Sequence, residues 1–441
     1  MQTNFTEVQL RDPETASSNQ VLRSCVHCGL CTATCPTFLL LGDELDSPRG
    51  RIYLIKDMLE TNRPATEEVV RHVDRCLSCL SCMTTCPSGV NYMHLVDHAR
   101  AYIERTYQRP LPERLIRSLL GLIIPRPGLF RLALAGAGLA QPLSRLIPGQ
   151  SMLARRMRAM LALAPADLPS PTANDGPQVF SAVGTRKWRV ALLAGCAQRV
   201  LAPEINAATI RLLTRLGCEV VVAKGAGCCG SLNHHMGQHT RAMNLARTNI
   251  EAWDREIEQG GLDAVVINTS GCGTTIKDYG FVFRTEAPLL REKAERIAGL
   301  AVDVTEWLTR IGYTPSRPTT GLTVAYHAAC SLQHGQQITN EPKALLRKAG
   351  FRVVEPQEGH LCCGSAGTYN MLQPEIATRL RDRKLRNIAK KKPDLIAAGN
   401  IGCIMQLSGA EVPIVHTVAL LDWMAGGPRP DGVKEPATCA A

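Results

Sequence analysis

Cysteine is the residue type whose number and spacing point most directly to chemistry in this sequence. The chain has 441 residues and 18 cysteines, and sixteen of these cysteines fall into four groups of four. The N-terminal residues MQTNFTEVQLRDPETASSNQ have neither the basic nor the apolar segment of a secretory leader. In a reducing cytoplasm such thiols bind metal rather than form disulfides. We therefore expect a cytoplasmic metal-binding protein.

Two of the four groups share the spacing CxxCxxCxxxCP. In this run three thiolates bind one cubane and the fourth, which precedes proline, binds the cubane of the other run. Two zinc sites are the alternative, but zinc sites use paired CxxC motifs with long spacers. The predicted ligand sets are Cys25, Cys28, Cys31 and Cys86 for one 4Fe-4S cluster, and Cys76, Cys79, Cys82 and Cys35 for the second.

A helix is predicted between the two runs, from Pro48 to Glu60, because apolar residues recur there at helical spacing. Residues 1–105 are therefore expected to form a helical ferredoxin domain. The predicted apolar face consists of Ile52, Leu54, Ile55, Met58 and Leu59.

Residues 106–185 contain no cysteine and are predicted to be a helical connector. Arginines alternate with leucines in LPERLIRSLLGLIIPRPGLFRLALAGAGLAQPLSRLI, and the region ends in a linker-like run, LPSPTANDGPQVFSAVGT. Two interpretations stay open: helices that pack on the flanking domains, or a basic amphipathic surface that lies on a membrane.

The net charge of +11 favours a membrane surface or an acidic partner subunit. Nucleic acid is not an expected partner, because aromatic residues make up only 4% of the chain and the arginines are widely spread. No run of eighteen uncharged apolar residues is present in the sequence, so we predict no membrane-spanning helix.

From residue 186 onward, short apolar runs alternate with helical segments, which predicts α/β units with a largely parallel sheet. This region is duplicated into repeats 186–315 and 316–441. In each repeat 31 residues separate a single cysteine from a Cys-Cys-Gly, and 42 or 39 residues separate that motif's second cysteine from a fourth cysteine. The cysteines follow predicted strands, whose carboxyl ends converge on one face, so each set can bind a further cluster. These possible ligands are Cys196, Cys228, Cys229 and Cys272, and Cys330, Cys362, Cys363 and Cys403.

The sequence resembles the cysteine-rich domain family of heterodisulfide reductase subunits and, more closely, the iron-sulfur subunits of bacterial glycolate oxidase. The resemblance depends on the order of two ferredoxin runs and two such repeats, and on the segments YHAAC, GCCGSLNHHMG and LCCGSAGTYNMLQPEIA. The resemblance implies an α+β protein: a helical two-cluster ferredoxin domain followed by a duplicated α/β cysteine-rich domain. The sequence contains no apparent Ser/His/Asp set, phosphate loop or flavin-binding fingerprint, so no catalytic residue is predicted in this chain. The resemblance implies FAD only in partner subunits that oxidise glycolate to glyoxylate, and electron transfer towards a membrane acceptor such as quinone. For a cytoplasmic protein, the basic amphipathic interpretation of the connector predicts a peripheral position on the cytoplasmic face of the inner membrane.

One departure from the family pattern concerns the closing motifs. Domains with non-cubane clusters close with CxxC, whereas Cys272-Gly-Thr-Thr and Cys403-Ile-Met-Gln lack the fifth cysteine. This disfavours a heterodisulfide or thiol reductase, and it leaves a zinc or an empty thiol site open for the repeats. An electron-transfer subunit for glycerol 3-phosphate or lactate is a further alternative, which differs only in its partner.

Other residues near the motifs are predicted to have ordinary roles. The histidines are expected to be polar residues near the surface, and the alternatives are that they tune a cluster through hydrogen bonds or shuttle protons to an acceptor. Cys218 is predicted to be a small buried hydrophobe, and Cys439 to lie in a disordered tail. The histidines concerned are His234, His235, His239, His327 and His334.

Overall fold

The structure is a computed structural model that describes residues 1–142, 147, 149, 151–165 and 167–434, so Cys439 lies outside the described residues. The predicted fold class is confirmed: helices come first, and two sheets follow in a duplicated cysteine-rich region. The helices of the N-terminal region are α1 (Glu7–Leu10), α2 (Pro13–Ser24), α3 (Pro36–Leu41), α4 (Pro48–Glu60), α5 (Glu67–Asp74), α6 (Ser81–Thr85) and α7 (Tyr92–Thr106), with 3-10 turns at Leu30–Thr34 and Glu44–Asp46.

Helix α4 has the predicted bounds, and all five residues of its predicted apolar face are buried. The Ser47 hydroxyl accepts a hydrogen bond from the Gly50 N–H at 3.0 Å, and Pro48 occupies the first turn, so both N-terminal helix signals act together. The helix packs against α5 and α7 in a core that also contains Cys25 and Cys76, the first cysteine of each run.

The connector consists of helices α8 (Leu111–Ile123), α9 (Pro127–Ala140) and α10 (Met152–Ala162). Part of its surface packs inward: Arg117 donates to the Met236 carbonyl at 3.2 Å, and Arg156 to the Leu372 carbonyl at 2.8 Å. The outer surface is rich in exposed leucines. Among the described residues, no helix is both long and apolar enough to cross a membrane.

The described strands form two sheets of the same plan. The first sheet has the order β1-β3-β2-β4-β5 and the second the order β7-β6-β8-β9, and every pairing is parallel except that of β1. Sequence analysis assigned no strand at β1, which lies in the linker-like run, or at β5. The bounds are β1 (Gln178–Phe180), β2 (Trp188–Leu192), β3 (Cys218–Val222), β4 (Ala264–Ile267), β5 (Ala301–Asp303), β6 (Thr323–His327), β7 (Arg352–Val354), β8 (Leu395–Ala398) and β9 (Ile414–His416).

Helices cover the sheets and join the two repeats through one shared core. The helices of the first repeat are α11 (Gln198–Leu201), α12 (Glu204–Arg215), α13 (Ser231–His235), α14 (His239–Gly260), α15 (Ser270–Lys277), α16 (Tyr279–Val282), α17 (Pro288–Leu300) and α18 (Val304–Arg310). Those of the second are α19 (Glu341–Lys348), α20 (Tyr369–Leu372), α21 (Pro374–Ala389), α22 (Ile401–Leu407) and α23 (Thr417–Met424), with a π-helical turn at Ser331–Gly335. The contacts between repeats are reciprocal, because α12 packs on α23 and α18 packs on α19.

Candidate iron-sulfur sites

The first ferredoxin site is a cavity of about 30 Å³. The loop that forms it needs left-handed backbone at His27 and Gly29, and the second run repeats this conformation at Ser78 and Leu80. Three non-glycine residues therefore adopt a conformation that L-residues disfavour, in order to bring the thiols of each run around one space. The cavity is lined by the predicted set Cys25, Cys28, Cys31 and Cys86, and also by Cys82.

The second ferredoxin site is a cavity of about 20 Å³. Its lining includes all four thiols of the second predicted set: Cys35, Cys76, Cys79 and Cys82. The fourth cysteine of each run thus lies beside the first three cysteines of the other run. The ligand assignment itself stays a prediction, and the donor set fits a 4Fe-4S cluster at each cavity.

Buried positive charge faces the second ferredoxin site. Arg51 is 1% exposed, its Nη1 lies 3.9 Å from the Cys35 Sγ, and its Nη2 lies 3.3 Å from the Asp46 carboxylate. Burial alone would lower the pKa of Arg51, but the sulfurs of Cys76 and Cys35 raise it. The Tyr92 hydroxyl also donates to the Cys76 Sγ at 3.8 Å. These donors stabilise an anionic centre. Sequence analysis missed Arg51, although it lies one turn before Ile55 on the buried face of α4.

The neighbouring cysteines of the ferredoxin sites can all be deprotonated at once only when a bound metal cation compensates their negative charge. Burial raises the pKa of Cys79 and of Cys82 well above the usual value of 9.0, and burial raises the pKa of Cys31 to about 11. Cluster binding must therefore displace thiol protons, and the affinity for metal increases with pH.

All eight cysteines of the repeats open onto one cavity of about 290 Å³. Each set follows the carboxyl ends of its strands, as predicted, and the Sγ atoms of Cys330 and Cys362 are 3.8 Å apart. Contact with Cys362, together with burial, raises the pKa of Cys330 well above 9.0. Such crowded thiols fit metal ligands.

The backbone conformation at the third position of each Cys-Cys-Gly motif requires glycine. Gly230 and Gly364 have φ angles of +86° and +94°. A Cβ atom on Gly364 would lie 2.5 Å from the Ala377 carbonyl oxygen, and one on Gly230 would lie 2.7 Å from the Ala242 carbonyl oxygen. The Gly364 N–H donates to the Cys362 Sγ at 3.4 Å. Glycine therefore allows a turn that directs a backbone donor at the sulfur.

The cavity has further walls that sequence analysis did not anticipate. Helices α9 and α10 contribute Phe130, Leu134 and Met160, and the ferredoxin domain contributes Cys76. Phe130 and Leu134 are four residues apart, the spacing of one helix face, which was the available signal.

The ferredoxin domain contacts the second repeat through a small core that contains thiols. Cys79 is buried in this core with Cys362 and Tyr369, and Cys330 packs against it. The Tyr369 hydroxyl donates to the Arg75 carbonyl at 2.9 Å. The second ferredoxin site and the thiols of the second repeat are therefore neighbours in space.

The histidines have more specific surroundings than predicted. The expectation of a surface position was wrong for His327 and His334, which are buried; the His334 Nδ1 lies 2.7 Å from the Thr84 hydroxyl. His234 and His235 both pair with the buried Asp97 at 3.3 Å. Burial, reinforced by Lys384, lowers the pKa of His327 to about 3. Cys218 is fully buried in β3, which confirms its predicted role.

Comparison with family models identifies the two kinds of domain. Residues 21–90 match the 4Fe-4S dicluster domain, and residues 190–277 and 324–408 each match the cysteine-rich domain. These matches confirm the expectation of two 4Fe-4S clusters and the duplication.

Similar proteins span nearly the whole chain. The glycolate oxidase iron-sulfur subunit of Escherichia coli K12 is 42% identical over 96% of this chain and 98% of its own length. The probable glycolate oxidase iron-sulfur subunit of Bacillus subtilis 168 is 30% identical over 92% of this chain and 94% of its own length. Lactate utilization protein A of an Exiguobacterium species is 27% identical over 56% of this chain and 98% of its own length.

A solved structure has the same fold. It is the crystal structure of a hypothetical protein from Helicobacter pylori, with a TM-score of 0.52 and 10% sequence identity. The match covers 95% of this chain and 73% of the other. At this identity the likeness concerns the fold alone.

Proposed function

The chain belongs to the family of glycolate oxidase iron-sulfur subunits, and on this premise we propose that it is the electron-transfer subunit of a complex that oxidises glycolate to glyoxylate. FAD in partner subunits takes two electrons and releases them to this chain, which passes them towards a quinone. Bound 4Fe-4S clusters supply one-electron carriers whose potentials depend on charge, hydrogen bonds and exposure. The chain acts in the cytoplasm, peripherally on the cytoplasmic face of the inner membrane.

The observation that carries this proposal is the packing of Cys79 against Cys362 in one core. It places the ferredoxin thiols beside those of the second repeat without an intervening domain. At the other end Cys28 is exposed, whereas Cys79 is buried. This arrangement supports entry of electrons near Cys28 and their exit through the duplicated domain.

The cavity between the repeats is the proposed acceptor site. Its apolar wall of Phe130, Leu134 and Met160 suits a flat apolar ring such as a quinone. The lining residues Arg117 and Asn370 each have a buried polar atom without a hydrogen-bond partner in the described part of the chain, the Arg117 Nε and the Asn370 Oδ1. These atoms suit a carbonyl and a hydroxyl of the occupant.

The reaction balances with one acceptor per glycolate. Glycolate loses two electrons and two protons at the flavin, and the quinone gains two electrons and two protons to become quinol. His235 lines the cavity and pairs with Asp97, so this pair is the proposed path for protons from solvent.

The outer face of the connector is the proposed membrane contact. Exposed leucines on α8 and α9 surround exposed arginines such as Arg114 and Arg126. An apolar surface with positive charge suits an anionic lipid surface. The exposed apolar residues are Leu111, Leu115, Leu119, Leu122, Leu129, Leu132 and Leu139.

The relay is tested by replacing Cys79 with serine in the assembled complex. We expect glycolate-dependent reduction of menadione, a soluble quinone, to fall more than tenfold, with altered EPR signals and less iron. Wild-type complex should contain more than about eight irons per chain if the repeats are loaded. The matched control is Cys218→Ser, a buried cysteine outside the four sets, which should retain the rate. An unchanged menadione rate in Cys79→Ser would falsify the relay.

The acceptor site is tested by filling the cavity. Leu134→Trp should weaken menadione binding about tenfold or more while glycolate still reduces a hydrophilic dye. The control Leu132→Trp lies on the same helix, outside the cavity and 70% exposed, and should change neither measurement. Equal menadione binding in both variants would show that the cavity is not the acceptor site, but it would not contradict the relay. A wild-type complex that does not reduce the dye with glycolate would contradict the relay.

A further inference from the structure

We propose that His327 is a metal ligand of the second repeat, together with Cys363 and Cys403. A ring nitrogen of His327 and the two sulfurs all lie within 4.8 Å of one another. The three residues are buried, with exposed fractions of 2%, 1% and 3%. Imidazole nitrogen and thiolate sulfur are both good ligands for iron and zinc. The assignment does not depend on which acid the complex oxidises.

The ring of His327 also has an unpartnered atom. Its Nε2 is buried and has no hydrogen-bond partner among the described residues. Buried polar atoms in folded proteins are nearly always paired, because an unpaired one loses its hydration without compensation. A metal coordinated beside Cys363 and Cys403 would compensate for that loss.

The duplication provides an internal comparison. His327 lies three residues before Cys330, and the matching position before Cys196 is Leu193. The strand registers of the two repeats agree. Val324 pairs with Leu395 in the second sheet, and Val190 pairs with Ala264 in the first. Leu395 and Ala264 each lie eight residues before the closing cysteine of their repeat. Leu193 belongs to the apolar core of its repeat. Only the second repeat therefore has a nitrogen donor at this position.

The consequence is a difference in ligand number between the two repeats. Both closing motifs lack the additional cysteine, but His327 gives the second repeat a fifth donor beside its four thiols. A neutral imidazole adds a donor to the second repeat without adding to the negative charge of the four thiolates that both repeats share.

The experiment is pulsed EPR of the reduced full-length chain in its complex, which detects nitrogen bound directly to a paramagnetic metal. The wild type should give a strong ¹⁴N coupling that is lost in His327→Leu, the residue type of the first repeat. His334→Asn should keep the coupling, because His334 contacts Thr84 and the His360 carbonyl instead. His327→Cys should restore metal retention without the coupling. Metal release to a chelator should be about tenfold faster in His327→Leu.

A second measurement covers a diamagnetic metal. X-ray absorption at the edge of the bound metal, identified by mass spectrometry as iron or zinc, should require one nitrogen donor in the wild type and none in His327→Leu. A coupling or nitrogen donor that persists in His327→Leu would overturn the assignment. A second repeat that binds no metal in the wild-type complex would overturn it as well, while leaving the ferredoxin relay intact.

Discussion

The two cysteine-rich repeats share the order of four parallel strands and the positions of their thiols, yet a charged residue near the thiols of the second repeat matches a neutral residue in the first. The Ala242 carbonyl lies beside Gly230 in the first repeat as the Ala377 carbonyl lies beside Gly364 in the second. Asn249 and Lys384 therefore occupy matching positions, because each lies seven residues after that alanine. In the first repeat Asn249 is neutral and donates to the Cys228 carbonyl at 2.9 Å. Duplication therefore preserved the scaffold, while one substitution changed the charge beside the site.

In the second repeat this position places a lysine beside the thiols. Lys384 is 2% exposed, and its Nζ donates to the Glu358 carbonyl at 2.8 Å. Burial lowers its pKa, although the sulfurs of Cys363 and Cys362 oppose the shift. A cation near an anionic centre stabilises its reduced form, so the second site attracts electrons more strongly.

The repeats also attach to the ferredoxin domain by different forces. The second repeat uses the apolar core around Cys79, Cys362 and Tyr369, together with hydrogen bonds from Tyr369 to the Arg75 carbonyl and between His334 and Thr84. The first uses Asp97, which pairs with His234 and His235. The attachment of the second repeat should depend little on pH, and that of the first should depend on it clearly.

The largest expected effect concerns what the repeats share. Gly364→Ala should lower the free energy of unfolding in urea by roughly 3 kcal/mol, because the new Cβ would strike the Ala377 carbonyl at a φ of +94°. Gly359→Ala is the matched control, since its nearest contact is an ordinary 3.6 Å from the Pro356 carbonyl oxygen. Equal stability of the two variants would contradict this account of the Cys-Cys-Gly turn.

The next effect separates the two attachments by pH. Burial alone would raise the pKa of Asp97, but His234 and His235 lower it well below 3.8; burial would lower the pKa of His234, but Asp97 raises it above 6.5. The contribution of Asp97 is lost as pH falls through its lowered pKa. That of His234 is complete below pH 6.5 and is lost as pH rises through its raised pKa.

Asp97→Asn should therefore lower the free energy of unfolding by about 2 kcal/mol at pH values between the lowered pKa of Asp97 and the raised pKa of His234. The loss should be smaller in alkaline solution. Urea unfolding of both proteins across the pH range measures the difference. The control Asp382→Asn, in an exposed pair with Arg381, should have little effect at any pH. A deficit that stays constant from acid to alkaline pH would refute the ionic description of this contact.

The smallest expected effect concerns the charge of Lys384, which distinguishes the second repeat from the first. Lys384→Met should lower the midpoint potential of the centre in the second repeat by roughly 60 mV, about 1.4 kcal/mol for one electron. Redox titration followed by EPR measures this shift. Lys384→Arg should preserve the potential, and Lys390→Met, exposed at the end of the same helix, should not change it. A shift of equal size in Lys390→Met would mean that the effect is not local.

Much of the scaffold could be predicted because its signals are local. The bounds of α4 followed from its apolar spacing, and the strands β2, β3, β4, β6, β7, β8 and β9 followed from short apolar runs. Strand β1 was missed because it lies in the linker-like run, and β5 was missed because it joins helices α17 and α18 directly, with no turn signal at either end. Strand β1 exists through its antiparallel pairing with β3, a contact between residues about forty positions apart.

The sequence by itself determined the four sets of thiols, because the spacing of cysteines within a run decides which of them can surround one space. It also determined the duplication and the glycine that each turn requires. Only the tertiary structure decided which sets are neighbours, which residue lies beside them and what closes the cavity. Cys79 and Cys362, His327 and Cys403, and Phe130 and Met160 are distant in sequence, and no local pattern encodes contacts that arise from the packing of whole domains.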